Sequence, residues 1–268
     1  MIFADATWQY KDARYVIVGI PYEDKEMSFR KGASKAPDYV RELSYNYESY
    51  DIFTGVDLAS IPFHDAGNFD LNEAKKFIEK VVEDKKIPIA IGGAHSITPF
   101  IVPYEEIDGV VILDAHADFR NEYLGDKNSH ACATRRIFER IGNKVMSIGV
   151  RSISKGEKED AEKLGFKYYT SKEFNLKIAD EIEYERIYLS IDMDVFDPCY
   201  ASGVSNPEPF GLGYEVFDFI KKISKKVVAM DVVEVCPPYD DGKAGLLAAK
   251  IITSFLAWHS IQTGSFFL

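Results

Sequence analysis

The feature that most limits how this chain can fold is a series of short apolar segments, most of them hydrophobic from end to end. Seven segments rich in β-branched residues belong to this series: 14–20, 86–91, 110–114, 145–150, 166–170, 186–192 and 227–235. A strand that is covered on both faces has a continuous apolar run, whereas a strand with one wet face alternates apolar and polar residues. The seven segments therefore predict buried strands.

Segments with helical periodicity lie between these predicted strands. Apolar residues share one face in 72–84, 156–164 and 214–223, and 244–261 is apolar enough for a buried helix. Strands that alternate with helices predict right-handed crossovers and a mostly parallel sheet with helices on both faces. The sequence contains no internal repeat and no linker rich in Pro, Gly or Ser, so we expect an α/β protein with a single domain over residues 1–268.

The charge of the chain narrows the classes of partner. The 268 residues include 32 Lys and Arg against 43 Asp and Glu, a net charge of −11. This acidic balance disfavours nucleic acid and anionic lipid as partners, and it is compatible with a cationic substrate or a metal. Acidity that serves only solubility fits the charge equally well.

Membrane and secretory features are not expected. Lys250 and His259 interrupt the C-terminal apolar stretch, which leaves no run of the roughly 18 residues that a membrane span needs. The N-terminal residues lack the basic and then apolar pattern of a secretory signal. Three widely spaced cysteines predict neither a disulfide framework nor a zinc site, so we expect a cytoplasmic location.

Charged and imidazole side chains follow four of the predicted strands. They lie in the stretches GGAHS (92–96), DAHAD (114–118), SIDMDVFDP (190–198) and DVVEV (231–235). In open parallel sheets, ligands bind beyond the carboxyl ends of the strands. We therefore expect these four stretches to meet at one edge of the sheet and to form the functional site.

The spacing of the charged and imidazole residues in these stretches indicates that their side chains converge on a single site. Side chains two and four residues apart in an extended segment point the same way, as Asp114, His116 and Asp118 would. The full set has four carboxylates and two imidazoles: His95, Asp114, His116, Asp118, Asp192 and Asp194. Any one of them alone is explained more readily as a solvated loop residue, but that explanation fails for six together. Four carboxylates in one cleft would repel one another, and two divalent cations would cancel their charge.

The kinds of ligand narrow the metal and the chemistry. Carboxylates with a minority of imidazoles and no thiolate suit Mn²⁺ or another hard-to-borderline divalent ion. Two such ions a few ångströms apart convert a shared water to hydroxide at neutral pH, which is the chemistry of hydrolysis. The residues therefore predict a hydrolase with two metal ions.

The same motifs, in the same order, resemble those of the ureohydrolases, the family of arginase, agmatinase, formimidoylglutamase and guanidinobutyrase. The N-terminal stretch is similar as well, with GIP at 19–21, RKG at 30–32 and Arg41. The resemblance implies a three-layer α/β/α domain of the arginase/deacetylase kind around a mostly parallel eight-stranded sheet. It also implies two Mn²⁺ per subunit and a homo-oligomer, either a trimer or a hexamer.

The resemblance further implies a role for each site residue. One ion would be bound by His95, Asp114, Asp118 and Asp192, and the other by Asp114, His116, Asp192 and Asp194, with Asp114 and Asp192 bridging the pair. Asp118 would orient the bridging hydroxide, which attacks the guanidinium carbon of a small cationic guanidine. Glu234 would bind the guanidinium, Asn206 would contact the substrate, and His130 would deliver a proton to the leaving amine.

The substrate is less closely determined. The segment SHACATRR (129–136) looks closer to agmatinase than to arginase, so hydrolysis of agmatine to putrescine and urea, a step of polyamine biosynthesis, is the first choice. The segment 203–205 resembles the formimidoylglutamase branch, and guanidinobutyrase is a further alternative. Ala94, where the family usually has an acidic residue, leaves open a non-catalytic metal-binding member. The zinc deacetylases of the same fold need a His-His pair, which this sequence lacks.

Overall fold

A single parallel sheet organises the molecule. The computed structural model describes residues 1–24 and 28–264, and within these ranges the chain forms ten strands and seven α-helices. The strands are β1 (Tyr15–Ile20), β2 (Tyr50–Asp51), β3 (Val56–Asp57), β4 (Phe63–Asn68), β5 (Ile87–Gly92), β6 (Gly109–Leu113), β7 (Val145–Val150), β8 (Lys167–Thr170), β9 (Ile187–Asp192) and β10 (Val227–Val233). Eight of them form one sheet in the order β4-β1-β5-β10-β9-β6-β7-β8, and all neighbours are parallel. β2 and β3 form a separate antiparallel pair.

The middle of the sheet is built from segments far apart in the sequence. β10 and β9, the last two strands in the chain, lie between β5 and β6. β5, β6 and β9 are buried along their whole lengths, in agreement with their continuous apolar runs. Since all four strands run in the same direction, their carboxyl ends lie side by side at one edge of the sheet.

Helices cover both faces of this sheet. They are α1 (Ala36–Ser44), α2 (Leu71–Glu83), α3 (Thr98–Ile101), α4 (Ala133–Ile141), α5 (Lys155–Leu164), α6 (Glu215–Ile223) and α7 (Lys243–Thr263). One hydrophobic cluster joins α1, α6 and α7 to one face, and a second cluster joins α2, α3, α4 and α5 to the other. The predicted three-layer α/β/α fold with an eight-stranded parallel sheet is therefore confirmed.

The eighth strand, β4, was not visible as an apolar run. Its sequence is FHDAGN, and it pairs only with β1 because it lies at the edge of the sheet. An edge position accepts polar residues, since one side of the strand has no neighbour to cover it. The buried carboxylate of Asp65 on this strand is paired with the buried Arg41, whose Nε lies 2.7 Å from Oδ2 and whose Nη2 lies 2.9 Å from Oδ1.

The predicted strand 227–235 ends earlier than expected. β10 stops at Val233, and Glu234 has a left-handed backbone with φ of 69°. A non-glycine residue in this region leaves the extended conformation of a strand, so the chain turns at Glu234. The consequence for function is that the glutamate side chain projects from a turn at the edge of the sheet and not from the strand itself.

The last helix, α7, is a core helix. By length and hydropathy alone, this helix of 21 residues could cross a membrane, contrary to the expectation that Lys250 and His259 exclude a span. However, 78% of its most apolar window is buried inside the fold. Packing against α1 and the sheet therefore accounts for its apolar composition.

Candidate metal centre

The candidate site lies at the carboxyl ends of the four central strands. Strand register sets this arrangement, because Leu113 of β6 is paired with Ile191 of β9, and Val233 of β10 is paired with Asp192. The next residue after β6 is Asp114, which therefore lies beside Asp192. The 3₁₀ turn after β5 begins at His95 and completes the row.

Three carboxylates surround the imidazole of His95. Its Nδ1 lies 3.1 Å from Oδ2 of Asp114, 3.1 Å from Oδ2 of Asp118 and 3.4 Å from Oδ2 of Asp192. His95 and Asp114 are fully buried, and Asp192 is nearly so. His95, Asp114 and Asp192 offer ligand atoms that all lie within 4.8 Å of one another, which is the spacing of a metal site.

A second group of ligand atoms shares Asp114 with the first. Nδ1 of His116 lies 2.8 Å from Oδ2 of Asp194 and 3.7 Å from Oδ1 of Asp114, and these three residues also offer ligand atoms within 4.8 Å. The backbone N–H of Ala115 donates to Oδ1 of Asp194 at 3.0 Å. The two groups together contain five residues, and Asp118 reaches the first group through its contact with His95.

The backbone brings these residues together differently from the extended geometry that we expected. β6 ends at Leu113, and Asp118 has a left-handed φ of 47°. Asp194 lies in a 3₁₀ turn at Met193–Val195, where its N–H donates to Oδ1 of Asp192 at 2.9 Å. The convergence of the side chains thus depends on tight turns after the strands, and only partly on the alternation within an extended segment.

The carboxylates of the cluster oppose one another's ionisation. Burial and the nearby charge of Asp114 raise the pKa of Asp118 to about 7. Burial and the charges of Asp194 and Asp114 raise the pKa of Asp192 well above its usual range. Nδ1 of His95 and Oδ2 of Asp114 are buried and lie 3.1 Å apart, but among the described residues neither atom has a partner in hydrogen-bond geometry. Buried donors and acceptors are normally satisfied, so this set of oxygen and imidazole ligands fits a pair of divalent cations.

A polar network behind the cluster fixes His95 from its other side. Nε2 of His95 lies 3.2 Å from Oγ of Ser190, whose hydroxyl donates to Oδ1 of Asp231 at 2.6 Å. Oδ2 of Asp231 accepts hydrogen bonds from Tyr188 and Thr98. Sequence reasoning noted Asp231 at the strand end but gave it no role, although Ser190 precedes Asp192 by two residues and so lies on the same side of β9. Such outer contacts orient a ligating imidazole, and none of them involves Ala94.

Glu234 presents a free carboxylate oxygen at this edge of the sheet. Its Oε1 accepts the backbone N–H of His95 at 2.6 Å, whereas Oε2 is a buried atom without a hydrogen-bond partner. Burial raises the pKa of this carboxyl group, although the nearby His130 opposes the shift. An unpaired, buried oxygen of this kind is suited to accept a hydrogen bond from a cationic donor that arrives with a ligand.

His130 and Asn206 line the same cavity. This cavity has a volume of about 180 Å³, and its walls include His116, Asp118, His130, Glu157 and Asn206. Nδ1 of His130 lies 3.0 Å from Oδ2 of Asp24. Burial lowers the pKa of His130, but the bond to Asp24 and the nearby charges of Glu234 and Asp118 together outweigh it, so the pKa is raised. Asn206 is partly committed, because its Oδ1 accepts the backbone N–H of Phe29 at 2.9 Å.

The fold and the ligand set together define a class of protein. A family model described as the arginase family matches residues 13–257. The chain therefore belongs to the arginase family. The predicted ureohydrolase family and its class of activity, hydrolysis of a guanidino C–N bond, are confirmed at this level.

Individual relatives agree over nearly the whole chain. The agmatine ureohydrolase of Thermoplasma volcanium superimposes with a TM-score of 0.93 at 38% identity, covering 98% of this chain and 95% of that one. An agmatinase of Pyrococcus horikoshii is 34% identical over 92% of both chains. An N(1)-aminopropylagmatine ureohydrolase of Synechocystis is 35% identical over 87% of this chain and 85% of its own length.

Proposed function

We propose that this protein is a two-metal hydrolase that converts agmatine and water to putrescine and urea. The observation that carries the proposal is the pair of ligand groups that share Asp114, beside the free Oε2 of Glu234 and the cavity lined by His130. A guanidinium is planar and cationic, so it matches a buried carboxylate next to an acidic cluster. Relatives named for agmatine hydrolysis support this choice of substrate.

The metal pair in this proposal is Mn²⁺, with two ions per subunit. The residues that would hold it are His95, Asp114, His116, Asp118, Asp192 and Asp194, and Asp114 belongs to both ligand groups. The oxygen and imidazole ligands favour Mn²⁺ over metals that need thiolates. When bound, such a pair supplies a strong nucleophile at neutral pH and stabilises the negative charge that develops during hydrolysis.

The protein's own side chains have separate tasks in the proposed reaction. Glu234 accepts hydrogen bonds from the guanidinium and fixes its carbon above the ligand cluster. Asp118 orients the attacking water and accepts its proton. His130 then delivers a proton through Nε2 to the nitrogen of the substrate tail as the C–N bond breaks, so that the tail leaves as a neutral amine. Asn206, on the cavity wall, is assigned to contact with the tail.

A longer substrate, N(1)-aminopropylagmatine, is the second candidate. The cavity beside the metal cluster shares Arg120, Ser154 and Glu157 with a neighbouring cavity of about 440 Å³. Acidic residues including Glu122 and Glu159 line this outer part. Such a groove has room for the additional aminopropyl arm and carries charge that attracts its ammonium groups. A relative with the corresponding name is 35% identical to this chain.

The sequence also supports proposals on the domain, the location, the pathway and the assembly of the protein. We propose one ureohydrolase domain over residues 1–268, a cytoplasmic location, a role in polyamine biosynthesis and assembly into a homo-oligomer, a trimer or a hexamer. The partner is a small cationic guanidine, with no role for nucleic acid or membrane. The acidic net charge of −11 supports the cationic substrate.

A substrate panel tests this function. The purified chain, loaded with Mn²⁺, would be assayed for urea release from agmatine, N(1)-aminopropylagmatine, arginine and guanidinobutyrate, and for formamide release from formimidoylglutamate. We expect the highest kcat/KM with agmatine. Asp114→Asn serves as the inactive control, because it removes the ligand that both groups share.

The outcomes of this panel separate the alternatives. Urea from arginine or guanidinobutyrate but not from agmatine would overturn the substrate proposal. A higher kcat/KM for N(1)-aminopropylagmatine, reduced selectively by Glu159→Gln in the outer cavity, would establish the second candidate. Bound Mn²⁺ without turnover of any substrate would instead favour a non-catalytic member of the family.

A further inference from the structure

A carboxylate outside the proposed ligand set contacts the histidine that is assigned to proton transfer. Asp24 lies in the loop after β1 and is only 8% exposed. Its Oδ2 accepts the backbone N–H of His130 at 2.6 Å and lies 3.0 Å from Nδ1 of the same residue. Sequence reasoning gave this aspartate no role, because 106 residues separate it from His130 and no motif marks it.

The position of Asp24 is fixed by its neighbours. Its Oδ1 accepts a hydrogen bond from the hydroxyl of Ser96, the residue after His95. The loop after β1 is pressed against the turn after β5, since a Cβ at Gly93 would lie 1.9 Å from the carbonyl oxygen of Tyr22. The N–H of Ala94 donates to that same oxygen at 2.9 Å. Asp24 thus reaches His130 from a tightly packed loop.

The contact with Asp24 determines which nitrogen of His130 is available to a substrate. An ionised carboxylate only accepts hydrogen bonds, so the ring nitrogen that faces it must carry a proton. Burial alone would raise the pKa of Asp24, but hydrogen bonds from His130 and Ser96 outweigh it and lower the pKa, which keeps the carboxylate ionised. With Nδ1 so engaged, Nε2 is the nitrogen left for the cavity that His130 lines.

We propose that Asp24 is the positioning residue of His130, which holds Nδ1–H and turns Nε2 toward the substrate. This inference rests on the proposed function, because it requires His130 to transfer a proton. In that step, the Nε2–H proton of the imidazolium passes to the leaving nitrogen as the C–N bond breaks. The ring is left neutral, with its remaining proton on Nδ1 and still bonded to Asp24, and it recovers the Nε2 proton from water.

Asp24→Asn is the direct test of the proposal. An amide at this position can donate to Nδ1 as well as accept from it, so the ring is no longer restricted to the productive tautomer. We expect kcat to fall by about 10- to 100-fold while KM for agmatine stays unchanged, because Asp24 does not touch the substrate. Asp24→Glu keeps a carboxylate in the same loop and should restore part of kcat.

A matched control distinguishes the positioning of His130 by Asp24 from a general disturbance of the loop after β1. Glu23 is the neighbouring carboxylate, and its Oε1 accepts the backbone N–H groups of Gly32 and Ala33 at 2.5 and 3.3 Å without contacting His130. Glu23→Gln should therefore leave kcat close to that of the unmodified enzyme. Equal losses of kcat in Glu23→Gln and Asp24→Asn would overturn the proposal.

A double-mutant cycle tests whether Asp24 acts through His130. In the His130→Ala background, Asp24→Asn should cause no further loss of kcat, because the group that it positions is already gone. Additive losses would show a separate, structural role and would contradict the inference. Melting temperatures of all variants identify any that fail to fold, and in that case the comparison relies on Asp24→Glu.

A spectroscopic readout makes this test independent of turnover. Long-range ¹H–¹⁵N spectra of the full-length chain without added metal report the tautomer of each imidazole, and His130→Ala assigns the signal. We expect His130 to carry its proton on Nδ1 and to lose this preference in Asp24→Asn. An unchanged tautomer would overturn the positioning role even in an active enzyme, whereas a hydrolase that is inactive on every substrate would instead remove the proposed function.

Discussion

Among the single residues of the site, the distinguishing feature is a set of buried polar atoms that have no partner in hydrogen-bond geometry in the described part of the chain. Oδ2 of Asp114, Nδ1 of His95 and Oε2 of Glu234 are buried and lack hydrogen-bond partners among the described residues. Leaving such an atom unpaired costs about 1–3 kcal/mol each, so folding alone does not favour this arrangement. Residues held in this state are expected where a ligand completes their bonding.

Glu234 provides a prediction at this scale. Glu234→Gln replaces the free oxygen and its charge by an amide, which binds a guanidinium poorly. We expect kcat/KM for agmatine to fall by at least about 100-fold, since hydrogen bonds between charged groups are among the strongest in proteins. Steady-state kinetics measures this effect.

The same variant should not destabilise the fold. The substitution removes a buried negative charge beside other carboxylates, so the melting temperature of the metal-free chain should stay constant or rise. Calorimetry of the metal-free chain checks this expectation. An unchanged kcat/KM would contradict the assignment of Glu234 to substrate binding, and a large loss of melting temperature would show that the residue is structural.

Among the helices and strands, buried polar groups lie at both ends of the sheet. The carboxyl ends carry the candidate site, whereas the opposite end contains a buried network between β1 and α7. Nδ1 of His259 in α7 lies 2.8 Å from the hydroxyl oxygen of Tyr15 in β1, and that oxygen also lies 3.0 Å from the hydroxyl of Ser260. These contacts join α7 to β1, which lies next to the edge strand β4.

His259 gives a prediction on pH and stability. Burial, together with the charge of Arg14, lowers the pKa of His259 to about 4, whereas an unfolded histidine titrates near 6.5. The folded state therefore prefers the neutral ring. This preference contributes stability that is fully present above about pH 6.5 and is lost as the pH falls toward 4, by up to about 3 kcal/mol.

His259→Asn tests this dependence, because an asparagine side chain can replace Nδ1 as a hydrogen-bond partner but does not titrate. The free energy of unfolding, measured by urea denaturation at pH 7 and at pH 4.5, should fall less with acidity in the variant than in the unmodified chain. Tyr15→Phe is the control, since it removes the hydroxyl but keeps the imidazole and should retain the pH dependence. An identical acid sensitivity in His259→Asn would show that His259 does not protonate on unfolding.

At the scale of the whole molecule, the topology concentrates charge at one place. The four central strands occupy residues 87–92, 109–113, 187–192 and 227–233, and an acidic or imidazole side chain lies at the end of each strand or within three residues after it. We therefore expect the stability of the molecule to depend on cations, because repulsion among the carboxylates opposes folding in their absence.

Metal removal tests this dependence. Addition of Mn²⁺ at about 100 times its dissociation constant should stabilise the chelator-treated chain by about 3 kcal/mol per site, which raises the melting temperature by several degrees. In Asp114→Asn this increase should disappear, because both ligand groups lose their shared carboxylate. Asp218→Asn, an exposed position on α6, is the matched control and should keep the full increase. An equal increase in Asp114→Asn would place the stabilising ions elsewhere.

Local patterns in the amino-acid sequence were enough to predict the central strands, the layers of helices and the residue types at the strand ends. Buried parallel strands need continuous apolar runs, and only short-range information is required to recognise them. These patterns did not reveal β4, because the sequence FHDAGN of this edge strand is not a continuous apolar run, and the family resemblance was needed to predict eight strands.

The geometry of the site depends on backbone conformations and long-range contacts that form only in the folded chain. The left-handed backbones of Asp118 and Glu234 and the turn at Met193–Val195 aim the side chains, and no local pattern predicts such conformations. The contacts of Asp24 with His130 and of Asp231 with Ser190 join residues 106 and 41 positions apart. Contacts at such separations depend on how loops pack in the folded chain. The tendency of a segment to form a strand, by contrast, depends on a few neighbouring residues.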